Sequence, residues 1–368
     1  MILVKAKRDD LLVPLAAVSG IIERRHTLPI LSNVLIERGP GPLAFLATDI
    51  EIQITARSAL EPSGEARSAT VGARKLVDIL RALPEAVEVA LQLQDKRLLV
   101  KAGRSRFALQ TLPAEDFPRL AKPAGEVARF ALPQKVLRKL IGLVQYAMAQ
   151  QDIRYYLNGL LMVVEEGELK LVATDGHRLA FASTTLAAGL PRREAIVPRK
   201  TVIELAKLLA DSEEEVRVEL SATQAAFSFG TVELISKLID GKFPDYTRVI
   251  PPAHPNALTV EREPLRQALS RAAILSNEKF RGVRWVLGDA SLKIVSSNAD
   301  QEEAEELLEV GYAGDALDIG FNVNYLLDVL NNVGGAQVEC RFGDAASSAL
   351  FSFASEPGFK YVVMPMRI

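Results

Sequence analysis

Cysteine is nearly absent from this chain: Cys340 stands alone among 368 residues. An intramolecular disulfide and any multi-cysteine metal centre are therefore excluded, and the thiol reads as reduced and buried. Histidine is scarce too. His26, His177 and His254 lie far apart, so metal ligation by them is improbable, and neither a metal nor another cofactor is expected. Long apolar runs are missing. Leu3 to Leu15 is broken by Lys5, Lys7, Arg8, Asp9 and Asp10, and nothing else reaches the roughly 18 residues of a membrane span or a signal segment. The expectation is a soluble, cytoplasmic protein without a membrane partner. Charge of one sign is not in excess either: 44 Lys and Arg against 46 Asp and Glu leave −2, which gives no hint of a polyanion partner over the chain as a whole. No GxSxG, HExxH, Walker A or GxGxxG sequence occurs.

What is present looks at first like chemistry. In "LVATDGHRLAFA" (171–182), Thr174, Asp175, His177 and Arg178 interrupt an apolar run. On an extended strand Asp175 and His177 share a face, so a carboxylate could orient the imidazole as in a catalytic dyad. A hydrolase is the reading this stretch invites, and the absence of a nucleophile elbow weighs against it.

The same stretch has relatives inside the chain. "LAFLATDIEIQITA" (43–56) aligns with "LKLVATDGHRLAFA" (169–182), and "LKIVSSNADQEEAE" (292–305) follows as a third copy. "PILSNVLIE", "YYLNGLLMVV" and "KFRGVRWVL" precede them as apolar runs bounded by turn residues, reading as strand, turn, strand. "VGARKLVDILRALP", "IVPRKTVIELAKLL" and "IGFNVNYLLDVLNN" follow, each a short strand running into an amphipathic helix. A second helical pattern opens each unit, at 8–22, 132–148 and 260–276, while Phe117 and Phe243 mark the close of the first two. Landmarks recurring in order every 123 to 126 residues define three similar domains in tandem, 1–124, 125–253 and 254–368. Each holds two helices and a majority of strands, an α+β composition. "DQEEAEELLEV" (300–310) has helix-forming composition, yet its place in the repeat predicts a strand.

Charge is not spread evenly. Counting basic minus acidic residues, the six helical segments together carry +8; with −2 for the chain, the remainder carries −10. Helices often expose Lys and Arg, so charge alone does not establish a nucleic-acid partner.

The motifs "RHTLPILSN", "RYYLNGLL", "VATDGHRLA", "VPRK", "DGKFPDY", "AAILSNEKFRGVR", "QEEAEE", "GFNVNYLLDVL" and "YVVMPMRI" span essentially the whole chain. In their number, order and spacing the sequence resembles the beta sliding clamps of bacterial DNA polymerase III. The resemblance implies three clamp-type domains per chain, each with two helices on antiparallel sheets, closing as a head-to-tail homodimer into a six-domain ring. It implies a non-catalytic processivity factor that encircles double-stranded DNA without sequence preference, is opened by a clamp loader, and tethers DNA polymerase III and other proteins carrying a clamp-binding motif. Helix geometry accommodates such a ring. Twelve helices at about 9 to 10 Å spacing enclose a clear opening of roughly 24 to 27 Å, wide enough for a B-form duplex.

The resemblance also implies sites. Arg25, Gln151, Tyr155, Tyr156 and Lys200 match DNA-contacting positions, where cations pair with phosphates and tyrosines stack on bases or donate to the backbone. Without the resemblance, each tyrosine is as readily an amphipathic core residue. Thr174, Gly176, His177, Arg178 and Leu179 match one wall of a hydrophobic cleft that receives client peptides. Leu157, Pro244, Arg248, Val249 and Ser348 match further wall positions, as do Val362, Met364, Pro365, Met366 and Arg367. Methionines suit promiscuous apolar recognition, and Arg178 or Arg248 would fix a peptide carbonyl or carboxylate. Ala346 stands where a larger aliphatic is expected, which would widen the pocket. For dimerisation, Phe107 and Leu109 match positions that face Ile274 and Leu275. Lys75, Arg104 and Arg106 would oppose Glu302, Glu303, Glu305 and Glu306. A protein-only ring that uses the cleft without encircling DNA remains the second alternative.

Overall fold

The computed structural model describes residues 2–23, 28–60, 65–187, 189–251 and 254–368. The first repeat runs β1 (Ile2–Lys7), α1 (Arg8–Ser19), β2 (Asn33–Arg38), β3 (Ala44–Thr48), β4 (Ile52–Arg57), β5 (Arg67–Gly72), α2 (Ala73–Ala82), β6 (Glu88–Gln94), β7 (Arg97–Ala102) and β8 (Ser105–Gln110). The second repeats this order with β9 (Ala128–Pro133), α3 (Gln134–Val144), β10 (Gly159–Glu165), β11 (Glu168–Thr174), β12 (Arg178–Thr185), β13 (Arg193–Pro198), α4 (Arg199–Leu208), β14 (Glu215–Leu220), β15 (Gln224–Phe229) and β16 (Val232–Lys237). The third comprises β17 (Asn256–Glu261), α5 (Arg262–Ala272), β18 (Gly282–Gly288), β19 (Ser291–Ser297), β20 (Glu303–Glu309), a two-residue β21 (Gly311–Tyr312), β22 (Leu317–Asn322), α6 (Val323–Asn332), β23 (Gln337–Phe342), β24 (Ala349–Ser352) and β25 (Phe359–Val363).

Each repeat is thus two βαβββ halves that exchange their first strands. β1 leaves its own half to pair with β6, and β5 joins β2, giving sheet orders β1-β6-β7-β8 and β5-β2-β3-β4. The helices follow from apolar spacing. In α2, Ala73, Leu76, Val77 and Leu80 are buried on one face, while Arg74, Lys75, Asp78 and Arg81 lie off it. In α6, Val323, Leu326, Val329 and Leu330 do the same, with the Asn322 side chain accepting from the Asn324 N–H as an N-cap. The glutamate-rich segment is a strand: β20 pairs with β19 from Ser297↔Glu303 to Ser291↔Glu309 and alternates exposed and half-buried residues. Repeat position, with its ladder and packing, overrides helix propensity there.

Two compact units emerge, and they are not the three repeats. The first comprises Met1–Leu137 with Lys200–Leu238, the second Arg138–Arg199 with Ile239–Ile368. The central repeat is divided because its sheets continue into those of its neighbours. In the first unit β4 pairs with β16, Ile52↔Ser236 through Ala56↔Val232, making an eight-stranded sheet. In the second, β12 pairs with β25, Arg178↔Val363 through Ala182↔Phe359, within a nine-stranded sheet. The core of the second unit centres on Trp285, whose ring meets those of Phe321, Phe342 and Phe351 near edge-on. Cys340 is fully buried, as expected of a lone cysteine. No helix among the described residues is long and apolar enough to cross a membrane.

Candidate peptide-binding cleft

The polar run that resembled a dyad is a turn. Between β11 and β12, the Thr174 hydroxyl donates to the Arg178 carbonyl (2.6 Å) and accepts from the Gly176 N–H (3.1 Å). Asp175 Oδ1 accepts from the N–H groups of His177 (2.9 Å) and Arg178 (3.0 Å), and its Oδ2 takes the Arg178 Nε (3.1 Å). The carboxylate therefore caps backbone and holds a guanidinium; it is not aligned on the imidazole of His177, which is exposed. Gly176 is favoured at the apex, with φ +89°, and a Cβ there would lie 2.9 Å from Arg154 Nη1.

Arg178 is buried and anchors this turn. Besides Asp175, it donates to Asp328 Oδ2 (2.5 Å) and to the Tyr146 carbonyl (2.6 Å), and its guanidinium lies 4.5 Å from the centre of the Tyr325 ring. Burial opposes its charge, but Tyr361, Asp328 and Asp175 outweigh that and raise its pKa above the ordinary guanidinium value. The expectation that Arg178 fixes a peptide carbonyl meets a guanidinium that is already tethered. Each of its three nitrogens donates within the chain, and the tethered side chain forms part of the wall.

In front of that wall lies a cavity of about 180 Å³, lined by Arg154, Tyr156, Leu157, Thr174, Gly176, Arg178, Leu179, Phe243, Pro244, Tyr246, Val249 and Met364. It is smaller than the roughly 300 to 1,000 Å³ of a small-molecule pocket and suits one or two apolar side chains of a peptide. Its floor belongs to an apolar cluster that includes Leu157, Val172, Leu179, Phe243, Tyr246 and Val362. Eight of the residues expected in the cleft thus meet here. Val362 lies just beneath, paired with Leu179 and fully buried. His177, Arg248, Ser348, Pro365, Met366 and Arg367 are not on the cavity wall. His177 instead borders a neighbouring polar depression with Asp152, Arg199 and Tyr325. Arg248 is exposed and bridges to Asp245 (3.1 Å). The Ser348 backbone carbonyl accepts from His254 Nε2 at 2.9 Å. Ala346 sits exposed in a turn, its N–H on Asp344 Oδ1, so its small size does not widen this cavity.

The carboxyl-terminal segment is held at two points: Met364 N–H on the His177 carbonyl (2.8 Å) and Met366 N–H on the Gly320 carbonyl (2.9 Å). Arg154, Phe243 and Tyr246 were missed from sequence as lining residues, although Phe243 was visible as a repeat landmark. Arg154 is fixed by Asp152, whose pKa its guanidinium lowers to about 2.

The expected DNA contacts fare differently. Arg25 lies outside the described residues. Gln151 is exposed with φ +54°, and Tyr155 is more than half exposed, its ring 5.8 Å from that of Tyr156. Tyr156 packs on the apolar cluster and lines the cleft, a setting distinct from the DNA-contacting one expected for it. Lys200 is not an unpaired cation: its ammonium meets Asp49 Oδ2 (2.5 Å) and Glu23 Oε1 (2.7 Å). Burial lowers its pKa, but these carboxylates reverse the shift and hold it above the ordinary lysine value.

At the residues expected to dimerise, Phe107 and Leu109 are half-buried on β8, while Lys75, Arg104 and Arg106 are exposed. Ile274 is 75 % exposed and Leu275 half-buried. Among the glutamates, Glu306 is engaged by Arg271 (2.6 Å), Glu305 by Lys293 (2.7 Å), and Glu302 by Asn298 (2.6 Å), and Glu303 is exposed. Intrachain partners thus already share the charge expected to face a second copy.

In the first repeat, Gln53 occupies the place of Leu179. It is buried, and its Oε1 accepts from the Leu120 N–H (2.9 Å), so the chain following β8 fills the site that the cleft occupies in the second repeat.

A thrice-repeated pair of βαβββ halves, carrying a peptide-sized apolar cleft, defines a modular recognition scaffold of the clamp type. Comparison with known proteins specifies it further. Models of the DNA polymerase III beta subunit match in order: the N-terminal domain over 3–121, the central domain over 131–245 and the C-terminal domain over 247–367. The beta sliding clamps of Salmonella typhimurium and Escherichia coli K12 are each 48 % identical over 98 % of this chain and 99 % of their own. A Pseudomonas aeruginosa sliding clamp bound to griselimycin superposes with a TM-score of 0.94 at 48 % identity, covering 99 % of both chains. Caulobacter crescentus pol III beta gives 0.93 at 39 % identity, again over 99 % of both. The chain belongs to the DNA polymerase III beta subunit family.

Proposed function

We propose that two copies of this chain close head to tail into a ring that encircles duplex DNA, and that the cleft tethers DNA polymerase III and other replication or repair proteins to it. The protein is a sliding clamp, a non-catalytic processivity factor, and it works in the cytoplasm. Its three clamp domains are taken as 1–124, 125–253 and 254–368, and a clamp loader opens the ring.

The observation that carries this reading is a pair of unmatched sheet edges. In every repeat the fourth strand (β4, β12, β20) ends one sheet, and the last strand (β8, β16, β25) belongs to the other. Within the chain β4 pairs with β16 and β12 with β25, leaving β20 and β8 as edges of two four-stranded sheets. A third junction of the same kind, made between copies, satisfies both edges, and two such junctions close a ring without leaving a filament end. The register carries over. Thr55↔Glu233 and Phe181↔Lys360 are equivalent pairs, and their third counterpart sets Glu305 opposite Arg106 and Ala304 opposite Phe107 of the second copy. Arg106 and Glu305 are both exposed on their strands, and Phe107, next on β8, is half-buried on the opposite face.

For the cleft, we extend to this chain the griselimycin binding named for its Pseudomonas relative and place the ligand in the cavity around Leu179 and Met364. DNA contact is assigned to Arg25, Gln151 and Tyr155 in a sequence-independent, salt-sensitive mode. The decisive experiment loads the protein on circular DNA at a salt concentration that suppresses electrostatic binding, then linearises the DNA. Retention on the circle with loss through free ends is expected. Equal retention before and after cutting would leave a conventional binding protein or a protein-only scaffold.

A further inference from the structure

We infer that Asp328, a residue outside the cleft, is a positioning residue for client recognition, acting through Arg178. The inference rests on the cleft reading above. Asp328 lies on α6 and lines neither the cavity nor the polar depression beside it. Its Oδ2 nevertheless meets Arg178 Nη1 at 2.5 Å across 150 residues of sequence. Arg178 in turn is part of the Thr174–Arg178 turn, whose Thr174, Gly176 and Arg178 form one wall of the cavity. Asp175 cannot replace Asp328. It belongs to the same turn, so its bond to Arg178 Nε fixes the turn internally and not to the rest of the fold. The ties that leave the turn from this side chain are Asp328, the Tyr146 carbonyl and the hydroxyl of Tyr361, the last at 3.5 Å. Tyr361 also donates to the Tyr325 carbonyl of α6 (2.9 Å), and the Tyr325 ring lies over the guanidinium, so α6 supports Arg178 through Asp328, through the Tyr325 ring and, indirectly, through Tyr361. The ion pair with Asp328 is the only one of these ties that brings an opposite charge from outside the turn, and losing it leaves the guanidinium anchored to the rest of the fold by neutral partners alone.

The test measures griselimycin binding by calorimetry on the intact dimer. Asp328→Asn is expected to weaken binding about tenfold, and Asp328→Glu to restore part of the loss. In an Arg178→Met background, Asp328→Asn should change nothing further, because the path it acts through is gone. Thermal melting of each variant separates this from a merely structural role, which would lower the midpoint and leave affinity at 25 °C unchanged. Affinity of Asp328→Asn within twofold of the parent, or an equal loss in the Arg178→Met background, would overturn the inference. Failure of the unsubstituted protein to bind would instead remove the cleft reading itself.

Discussion

Asp49 and Asp175, 126 residues apart, make the same bonds: Asp49 Oδ1 accepts from the N–H groups of Glu51 (3.0 Å) and Ile52 (2.8 Å), as Asp175 Oδ1 does from His177 and Arg178. Thr48 mirrors Thr174, donating to the Ile52 carbonyl (2.8 Å) and accepting from the Ile50 N–H (3.0 Å). Only the outer oxygens differ, Oδ2 of Asp49 holding Lys200 and that of Asp175 holding Arg178. One local device thus serves two ends, tying down a helix in one repeat and building a cleft wall in the other.

The apex of that turn separates the two copies. Ile50 has φ +72° where Gly176 has +89°. A β-branched residue in the left-handed region costs about 1 to 2 kcal/mol, partly offset in a glycine variant by the extra entropy of its unfolded chain. Ile50→Gly is expected to stabilise by about 0.5 to 1 kcal/mol and Gly176→Ala to destabilise by at least that much. Urea unfolding midpoints decide it, and movement of both variants in one direction would contradict the account.

Facing edges predict a charge swap. With Arg106 opposite Glu305 of the other copy, Arg106→Glu or Glu305→Arg alone places like charges across the junction and should weaken dimerisation tenfold or more, about 1.4 kcal/mol. The doubly swapped protein should recover most of it. Sedimentation equilibrium reads this directly, and no recovery in the double variant would mean that the register is wrong.

Lys200 should matter more for folding than for DNA. Lys200→Gln leaves the largely buried Asp49 carboxylate without its cation, a loss of about 1 to 2 kcal/mol after allowing for the partial exposure of the lysine. A residue neutralising a phosphate would lower the salt slope of DNA binding by about 1. The expected outcome is a lower melting midpoint with the slope unchanged; a reduced slope with unaltered stability would restore Lys200 to the DNA surface.

Gly320 should control the cleft from a distance. A Cβ there would sit 2.4 Å from the Met366 carbonyl oxygen and 2.7 Å from the Ile368 side chain, so Gly320→Ala must displace the carboxyl-terminal segment that carries Met364. Overpacking of this kind costs about 1 to 3 kcal/mol. Weaker griselimycin binding, by about fivefold or more, is expected alongside a modest fall in stability, and full affinity would show that the tail can shift without moving Met364.

The fold was largely legible because its information is repeated. The assignment of Glu303–Glu309 as a strand rests on its place in the third copy, where composition alone argued for a helix. The six α-helices among the described residues were visible from apolar spacing for the same reason. What escaped the sequence were partnerships between distant residues. Neither the bond of Arg178 to Asp328 nor that of Lys200 to Asp49 has a local signal, so both cations read as available for ligands. The division of the central repeat was hidden as well, since an edge strand looks the same in sequence whether or not another repeat covers it.

The buried Gln53 bears on how many clients one ring can serve. Leu179 has two counterparts by strand register, Gln53 in the first repeat and Glu303 in the third. One is sealed by the backbone of Leu120, and the other puts a carboxylate where an apolar floor is needed. In the proposed ring of two copies, two of the six homologous positions therefore keep an apolar floor. On the proposed reading, polymerase and repair proteins that use this cleft would share two berths and exchange between them.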